Sequence, residues 1–439
     1  MRLQQQAQGL VENSYYVETA HPAPRHSALQ GEVQADVCIV GAGLAGLSAA
    51  LELRKRGMRV VVLEGMHVGW GASGRNGGQA LAGYASEMEP FERQLGAKSA
   101  HFAWEMSLDA IHLMRRRIDQ YAIACDWTPG AMSVAVTPKK ARALHAWAEH
   151  MQREYGYTHL QPLDAEKVRT VIASKRYCAG VLDDFGGHLH PLNYTLGLAR
   201  AATEAGAIVY EQSPVVEVKP GDTRASTSQA RAVVRTAQGS VRANYVLLAG
   251  NVHLGTVAPR LARRIMPVGT YIIATEPLGS LRAQSLIRNR AAVCDTQFVL
   301  DYFRLTGDDR LLFGGRVSYS TVSPRDLAAT MRRSMLAVYP QLGDVRITHA
   351  WGGFVDITMN RAPDFGRIAP DVLYLQGFSG HGLALTGMAG LLAAEAIAGQ
   401  AERFDLFARL RHQSFPGGDL LRTPALVLGM LWYRLRDML

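Results

Sequence analysis

Three glycines and one acid carry the clearest chemistry in this chain. Gly41, Gly43 and Gly46 form a G-x-G-x-x-G turn after an apolar run, and a small-residue helical pattern fills 47–57. A second apolar run, 59–63, ends in Glu64. Strand, tight turn, helix and a strand closed by an acid together make a dinucleotide-binding unit. Gly41 permits the turn, Gly43 lets backbone approach a diphosphate, and Gly46 lets helix and strand pack closely. Amides at the helix start, with Leu44 and Ala45 beside them, hold the diphosphate. Glu64, followed by Gly65, accepts hydrogen bonds from a ribose.

A second cluster follows the acid. Ala72, Ser73, Gly74, Arg75, Asn76, Gly77, Gly78 and Gln79 form a loop able to press amides onto a flat or anionic ligand. An NAD-binding unit normally runs straight into further strand–helix repeats, and this one does not. Further along, Gly-Gly-His-Leu-His-Pro at 186–191 precedes a helix. Residues 245–251 form a second strand leading to glycine, and 361–366 lead into Gly-Phe-Ser-Gly-His-Gly at 377–382. In these motifs the chain, from about residue 14 onward, resembles the superfamily of FAD-dependent amine and D-amino-acid oxidases. Within it, the likeness is strongest to oxidases of gamma-glutamylputrescine. The resemblance implies FAD, an adenine contact from the Val216 backbone, and Ala249, Gly250 and Asn251 passing near the diphosphate or ribityl chain. Gly380, His381, Gly382 and Leu383 open a helix whose amides and positive end suit the anionic side of a reduced flavin. His381 is a cap, a flavin neighbour or part of an oxygen site.

The substrate side is expected to be walled by aromatics, with Tyr84, Tyr271, Tyr302, Phe303, Trp351 and Phe354 as candidates. Ring faces suit both methylenes and a cation. Arg304 and Arg316 are candidates to clamp a carboxylate bidentately. His188 and His190 flank Leu189, so alternation sends both to one face; a general-base or substrate-contact role stands beside capping of the helix after Pro191. No third ligand stands at metal spacing, so no metal is expected. The 71–79 loop lacks His and Cys, which implies non-covalent FAD. The seven lysines end at Lys219, so no lysine from the second half can activate oxygen. That leaves His381, His349, His253 or an arginine, or else an electron acceptor other than oxygen.

The net charge of +9 invites a nucleic-acid reading, but the arginines are scattered and the longest basic cluster is 115–117. No nucleic-acid partner is expected. The four cysteines show no C-x-x-C spacing, and the polar first residues lack a signal core, so a cytoplasmic protein is expected. The apolar 425–439 stretch is expected to dock as a helix on protein, with membrane contact the lesser alternative.

The expected fold is α/β. A Rossmann-type FAD lobe with a parallel sheet joins an α+β substrate lobe with an antiparallel sheet, both discontinuous in sequence. An arm covers 1–30; the FAD-binding domain takes 31–90, 176–262 and 346–420; the substrate domain takes 91–175 and 263–345; a terminal helix takes 421–439. The expected activity is oxidation of a small-molecule amine, with gamma-glutamylputrescine as leading substrate and oxygen or another acceptor. A D-amino acid, sarcosine-like or cyclic imino acid oxidase or dehydrogenase is the alternative.

Overall fold

Residues 9–10, 13–221, 232–297, 299–318 and 326–416 are described by a computed structural model, which carries two sheets. The apolar segments flanking the glycine turn can be covered on both faces, which suits the middle of a parallel sheet. The strand Gly31–Val40 lies there, parallel to Gly239–Leu248 on one side and Val60–Leu63 on the other. Val372–Gln376 and Ile208–Tyr210 extend the parallel set outward, and Asp364–Ala369 adds an antiparallel edge. The helix Leu44–Lys55 packs on this sheet.

A second helix, Gly382–Ile397, is apolar on nearly every side and therefore buried. It crosses Leu44–Lys55 at small residues. A Cβ on Gly390 would lie 2.3 Å from the Ala45 carbonyl oxygen and 2.7 Å from the Ala49 nitrogen, so only glycine fits. Ser48 donates to the Gly387 carbonyl at the same crossing.

The second sheet runs in the order Ile347–Thr358, Ile265–Thr275, Leu311–Ser318, Tyr302–Leu305, Ala292–Asp295, Thr128–Ala135, Ala179–His188, Gln79–Ala80. Its pairings are antiparallel except between Ala292–Asp295 and Thr128–Ala135. Helix Leu327–Val338 covers one face, packing Met331, Met335 and Val338 with Tyr271, Phe303, Phe313 and Phe354. The short strand Gln79–Ala80 ends the glycine-rich loop, so the loop is stitched directly into this sheet.

The α/β class and the discontinuous pair of sheets match the expectation, but several segments change sides. Strands Ala179–His188 and Ile347–Thr358, expected with the FAD lobe, belong to the second sheet. Helix Ala97–Gln120, expected in the substrate lobe, packs into the cofactor-lobe core. Its buried Arg117 bonds Ser48 and forms an ion pair with Glu52 at 3.0 Å. Periodicity reveals that a helix has an apolar face, not which surface the face covers. The N-terminal arm is not simply extended. Its turn Tyr15–Glu18 is helical, and the arm crosses from the second sheet to the cofactor lobe. Leu10 accepts from the Gly352 amide, the His21 amide reaches Asn193, and the His26 and Leu29 amides reach Glu211 and Ser213. The expected terminal helix lies outside the described residues. Among the described residues no single helix is long and apolar enough to cross a membrane, and the four cysteines are unpaired.

The helix crossing yields a paired test. Gly390→Ala should lower unfolding free energy by about 1–3 kcal/mol, because the added methyl meets backbone. Gly387→Ala, whose methyl would meet only an Arg117 side-chain nitrogen at 3.4 Å, should be neutral or gain up to about 1 kcal/mol from helix propensity. Thermal and urea unfolding of both variants check the contrast.

Candidate active site

Parallel strands all end on one edge of their sheet, and that edge is where α/β proteins bind ligands. Here the ends of Gly31–Val40, Val60–Leu63, Gly239–Leu248 and Val372–Gln376 lead into Gly41, Glu64, Ala249 and Gly377. Gly41 adopts φ +110°, and a Cβ there would sit 2.7 Å from the Ala249 oxygen. A Cβ on Gly46 would sit 2.0 Å from the Gly41 oxygen. The two glycines thus close the turn tightly. Gly43 is the N-cap of Leu44–Lys55 without a side-chain cap of its own, and Ser73 Oγ accepts from the Leu44 amide at 3.0 Å. Glu64 accepts from the Ala42 and Met66 amides, both at 2.9 Å, and burial raises its pKa. The Val216 side chain is exposed and its amide donates to the Arg235 carbonyl at 2.9 Å.

Asn251 stands at φ +51° where the Gly239–Leu248 strand turns into the 3₁₀ segment Asn251–Leu254. Its Oδ1 and the nearby His253 Nδ1 are buried without a protein partner, as polar atoms awaiting a ligand would be. Burial lowers the His253 pKa to about 4, and its ring lies 5.5 Å from that of Trp70.

Asp356 joins this element to the second helix start. Its buried Oδ2 accepts from the Gly377 amide at 2.5 Å and the Phe378 amide at 3.2 Å, and the Asn251 side chain also bonds it. Burial pushes its pKa up to about 6, with the amide bonds opposing. Gly377 and Gly380 follow at φ +80° and +87°. His381 then sits at the N-cap of Gly382–Ile397 with no side-chain cap bond, so its ring is turned elsewhere. Its Nε2 lies 3.2 and 3.1 Å from the Leu81 and Ala82 carbonyls, which assigns Nε2 as a donor; burial lowers its pKa. The imidazole is therefore a neutral brace between the two cofactor loops. Gly382 and Leu383 lie in the first helical turn behind it.

The loop 72–79 is held from several sides. Asn76 donates to the Ala72 and Ser73 carbonyls and accepts from the Gly78 amide. Arg75 lies over the Trp70 ring at 4.2 Å, its Nε donating to the Trp70 carbonyl. Burial lowers its pKa to about 10, so it stays charged at neutral pH. Trp351 Nε1 donates to the Arg75 carbonyl, and Gln79 donates to the Val293 carbonyl. Tyr302 fills a slot made by two glycines: a Cβ would meet its ring at 2.7 Å from Gly77 and 2.1 Å from Gly314.

Most of the proposed substrate residues have internal tasks instead. The N–H groups of buried Arg304 reach five acceptors: Gly77 O (2.7 Å), Leu189 O (2.9 Å), Tyr16 Oη (3.0 Å), Leu305 O (3.2 Å) and His188 Nδ1 (3.4 Å). A guanidinium has five N–H donors, so none is left for a substrate carboxylate. His190 accepts from the Asn193 amide through Nδ1 and caps the helix Pro191–Glu204, while Nε2 meets Thr19 Oγ1 at 3.0 Å. Burial, assisted by Arg304, lowers both His188 and His190 to about 3. Trp351 is fully buried against Tyr16. Tyr84 joins the core with Phe91 and Phe407, and Tyr271, Phe303 and Phe354 face helix Leu327–Val338. The side chain of Arg316 lies outside the described residues. Sequence reading missed Asp356 and Tyr16. An acid inside an apolar strand was the available signal for the first; nothing local marked the second.

A family model described as FAD dependent oxidoreductase matches residues 36–396, which takes in both sheets and every loop above. The chain belongs to the FAD dependent oxidoreductase family. Gamma-glutamylputrescine oxidoreductase of Escherichia coli is 43% identical over 97% of this chain and 98% of that protein. A probable oxidoreductase, OrdL, of Haemophilus influenzae is 41% identical over 97% of each chain. Among solved structures, glycine oxidase from Geobacillus kaustophilus superposes with a TM-score of 0.72 at 21% identity, covering 87% of this chain and all of that one. L-proline dehydrogenase from P. horikoshii gives 0.68 at 20% identity, covering 86% and 98%. As a family member this oxidoreductase uses FAD, takes a small-molecule substrate and passes electrons to an acceptor. The residues present fit that cofactor. Two helix starts without side-chain caps, a glycine turn that excludes a Cβ, and the orphaned Asn251 and His253 atoms border one edge.

Two tests follow. Asp356→Asn should raise the dissociation constant for FAD about tenfold or more, since charge-assisted amide bonds are lost; flavin fluorescence titration reads it. His190→Asn, which keeps an N-cap, should leave the shape of the pH–rate profile between pH 5 and 8 unchanged, because a histidine titrating at about 3 is neutral throughout.

Proposed function

We propose that the protein deaminates a primary amine oxidatively, with gamma-glutamylputrescine as leading substrate. The observation that carries this reading is the 43% identity to gamma-glutamylputrescine oxidoreductase across 97% of the chain, through both sheets rather than the cofactor lobe alone. When bound, without a covalent link, FAD supplies the hydride acceptor at N5 and the route for electrons to oxygen. The amine enters this step as the neutral base, and the carbon beside nitrogen gives up the hydride. Water hydrolyses the resulting imine to aldehyde and ammonia, and oxygen leaves as hydrogen peroxide.

The protein's part is positioning and exclusion of water. The N-terminal arm seals Trp351 and the Arg304 network, and that network fixes Gly77 from behind. Tyr302, seated between Gly77 and Gly314, offers a ring to the substrate chain. Neutral His381, His188 and His190 supply no proton acceptor with a pKa matched to the amine, in keeping with chemistry that needs no obligate base. The saturated donors of Arg304 weigh against the alternative of an amino-acid substrate clamped by that arginine beside the reacting carbon. Of the other groups considered for oxygen, His349 bonds Glu18 and Thr348. The unpaired cysteines agree with a cytoplasmic enzyme.

Anaerobic mixing of the purified yellow protein with gamma-glutamylputrescine should bleach the flavin band, and admitting air should restore it with one hydrogen peroxide per aldehyde. A band that persists under this amine but bleaches with a D-amino or imino acid overturns the reading.

A further inference from the structure

A groove of about 650 Å³ opens between two turns that lead away from the cofactor loops. One wall begins at Ala85, three residues beyond Ala82, whose carbonyl holds His381. The other is formed by 359–361, directly after Thr358, whose amide donates to Ser379 Oγ. Both walls are thus continuous with residues that grip the 377–383 segment. Its size falls in the range of small-molecule sites, roughly 300–1,000 Å³.

The lining carries both signs of charge. Arg93, Arg361 and Arg411 stand with Glu87 and Glu89, and all five are exposed. Glu89 is paired with Arg93 at 2.6 Å. The Arg411 backbone is clipped to both walls: its amide donates to Gln94 Oε1 and its carbonyl accepts from Asn360 Nδ2. Glu87 and Arg361 share a further property. They stand at φ +55° and +58°, a region that residues other than glycine seldom occupy. Both outliers line the same groove.

We propose that this groove receives the far end of the substrate and reads it as an α-amino acid. Arg411 takes the carboxylate, and Glu87 takes the ammonium. The assignment rests on the amine-oxidation reading and deepens it: the substrate class is an amine whose distal end is an amino-acid zwitterion, as a γ-glutamyl group is. It also gives the carboxylate a partner in place of Arg304.

The test compares gamma-glutamylputrescine with N-acetylputrescine, which presents the same reacting end without the zwitterion. In Arg411→Ala and in Glu87→Asn, chosen because asparagine tolerates positive φ, the ratio of kcat/KM for the first amine over the second should fall about tenfold. The fall should come through KM, and Arg411→Lys should recover part of it. An unchanged ratio in both variants, with both amines still turned over, overturns the groove assignment and leaves amine oxidation standing. Failure of gamma-glutamylputrescine to bleach the wild-type flavin overturns both.

Discussion

The close crossing of helices Leu44–Lys55 and Gly382–Ile397 is the constraint on which the site depends. Gly390 lets the two backbones meet at a distance no side chain allows. With one helix packed on the parallel sheet, that contact places the start of the other beside the same sheet edge. Two positive helix ends then converge where four strand ends already open. A cofactor with a diphosphate at one end and a ring that becomes anionic on reduction at the other is served by such a pair. With FAD bound, one end would meet charge that is always present, and the other charge that appears during reaction.

Helix placement alone does not set the loops that touch the ligand; two buried ionisable side chains do that. Asp356 gathers the amides of Gly377 and Phe378 and the side chain of Asn251, linking the ends of two neighbouring strands. Arg304 gathers carbonyls of Gly77 and Leu189 with Tyr16 and His188, linking glycine-rich loop, second sheet and N-terminal arm. Each hydrogen-bonded charge satisfies backbone groups that loops leave open, which is how irregular backbone becomes rigid. The same network holds His188 and His190 neutral, so these two rings add no charge across ordinary pH.

Much of this was legible in the sequence because backbone chemistry demands particular residues. A turn at φ +110° and a contact that admits no Cβ require glycine, and Gly41 and Gly46 announce themselves. The strand ends at Glu64 and Ala249 follow from apolar runs with abrupt stops. What sequence could not reveal is partnership across space. Arg304 reads as a clamp when its residue type alone is known, because four of its five acceptors come from three distant segments. His190 and Trp351 read as pocket residues until the arm packs over them. Tyr271 and Phe354 alternate correctly along their strands, but alternation leaves open which face turns to the flavin lobe and which to helix Leu327–Val338.

The central claim is that both helix starts serve one FAD, and the structure of the FAD-bound protein tests it most directly. The account expects the diphosphate on the amides of 41–46 and the pyrimidine edge of the ring against the amides of 380–383. A ring seated away from 380–383, with that helix start facing protein or solvent, would contradict it.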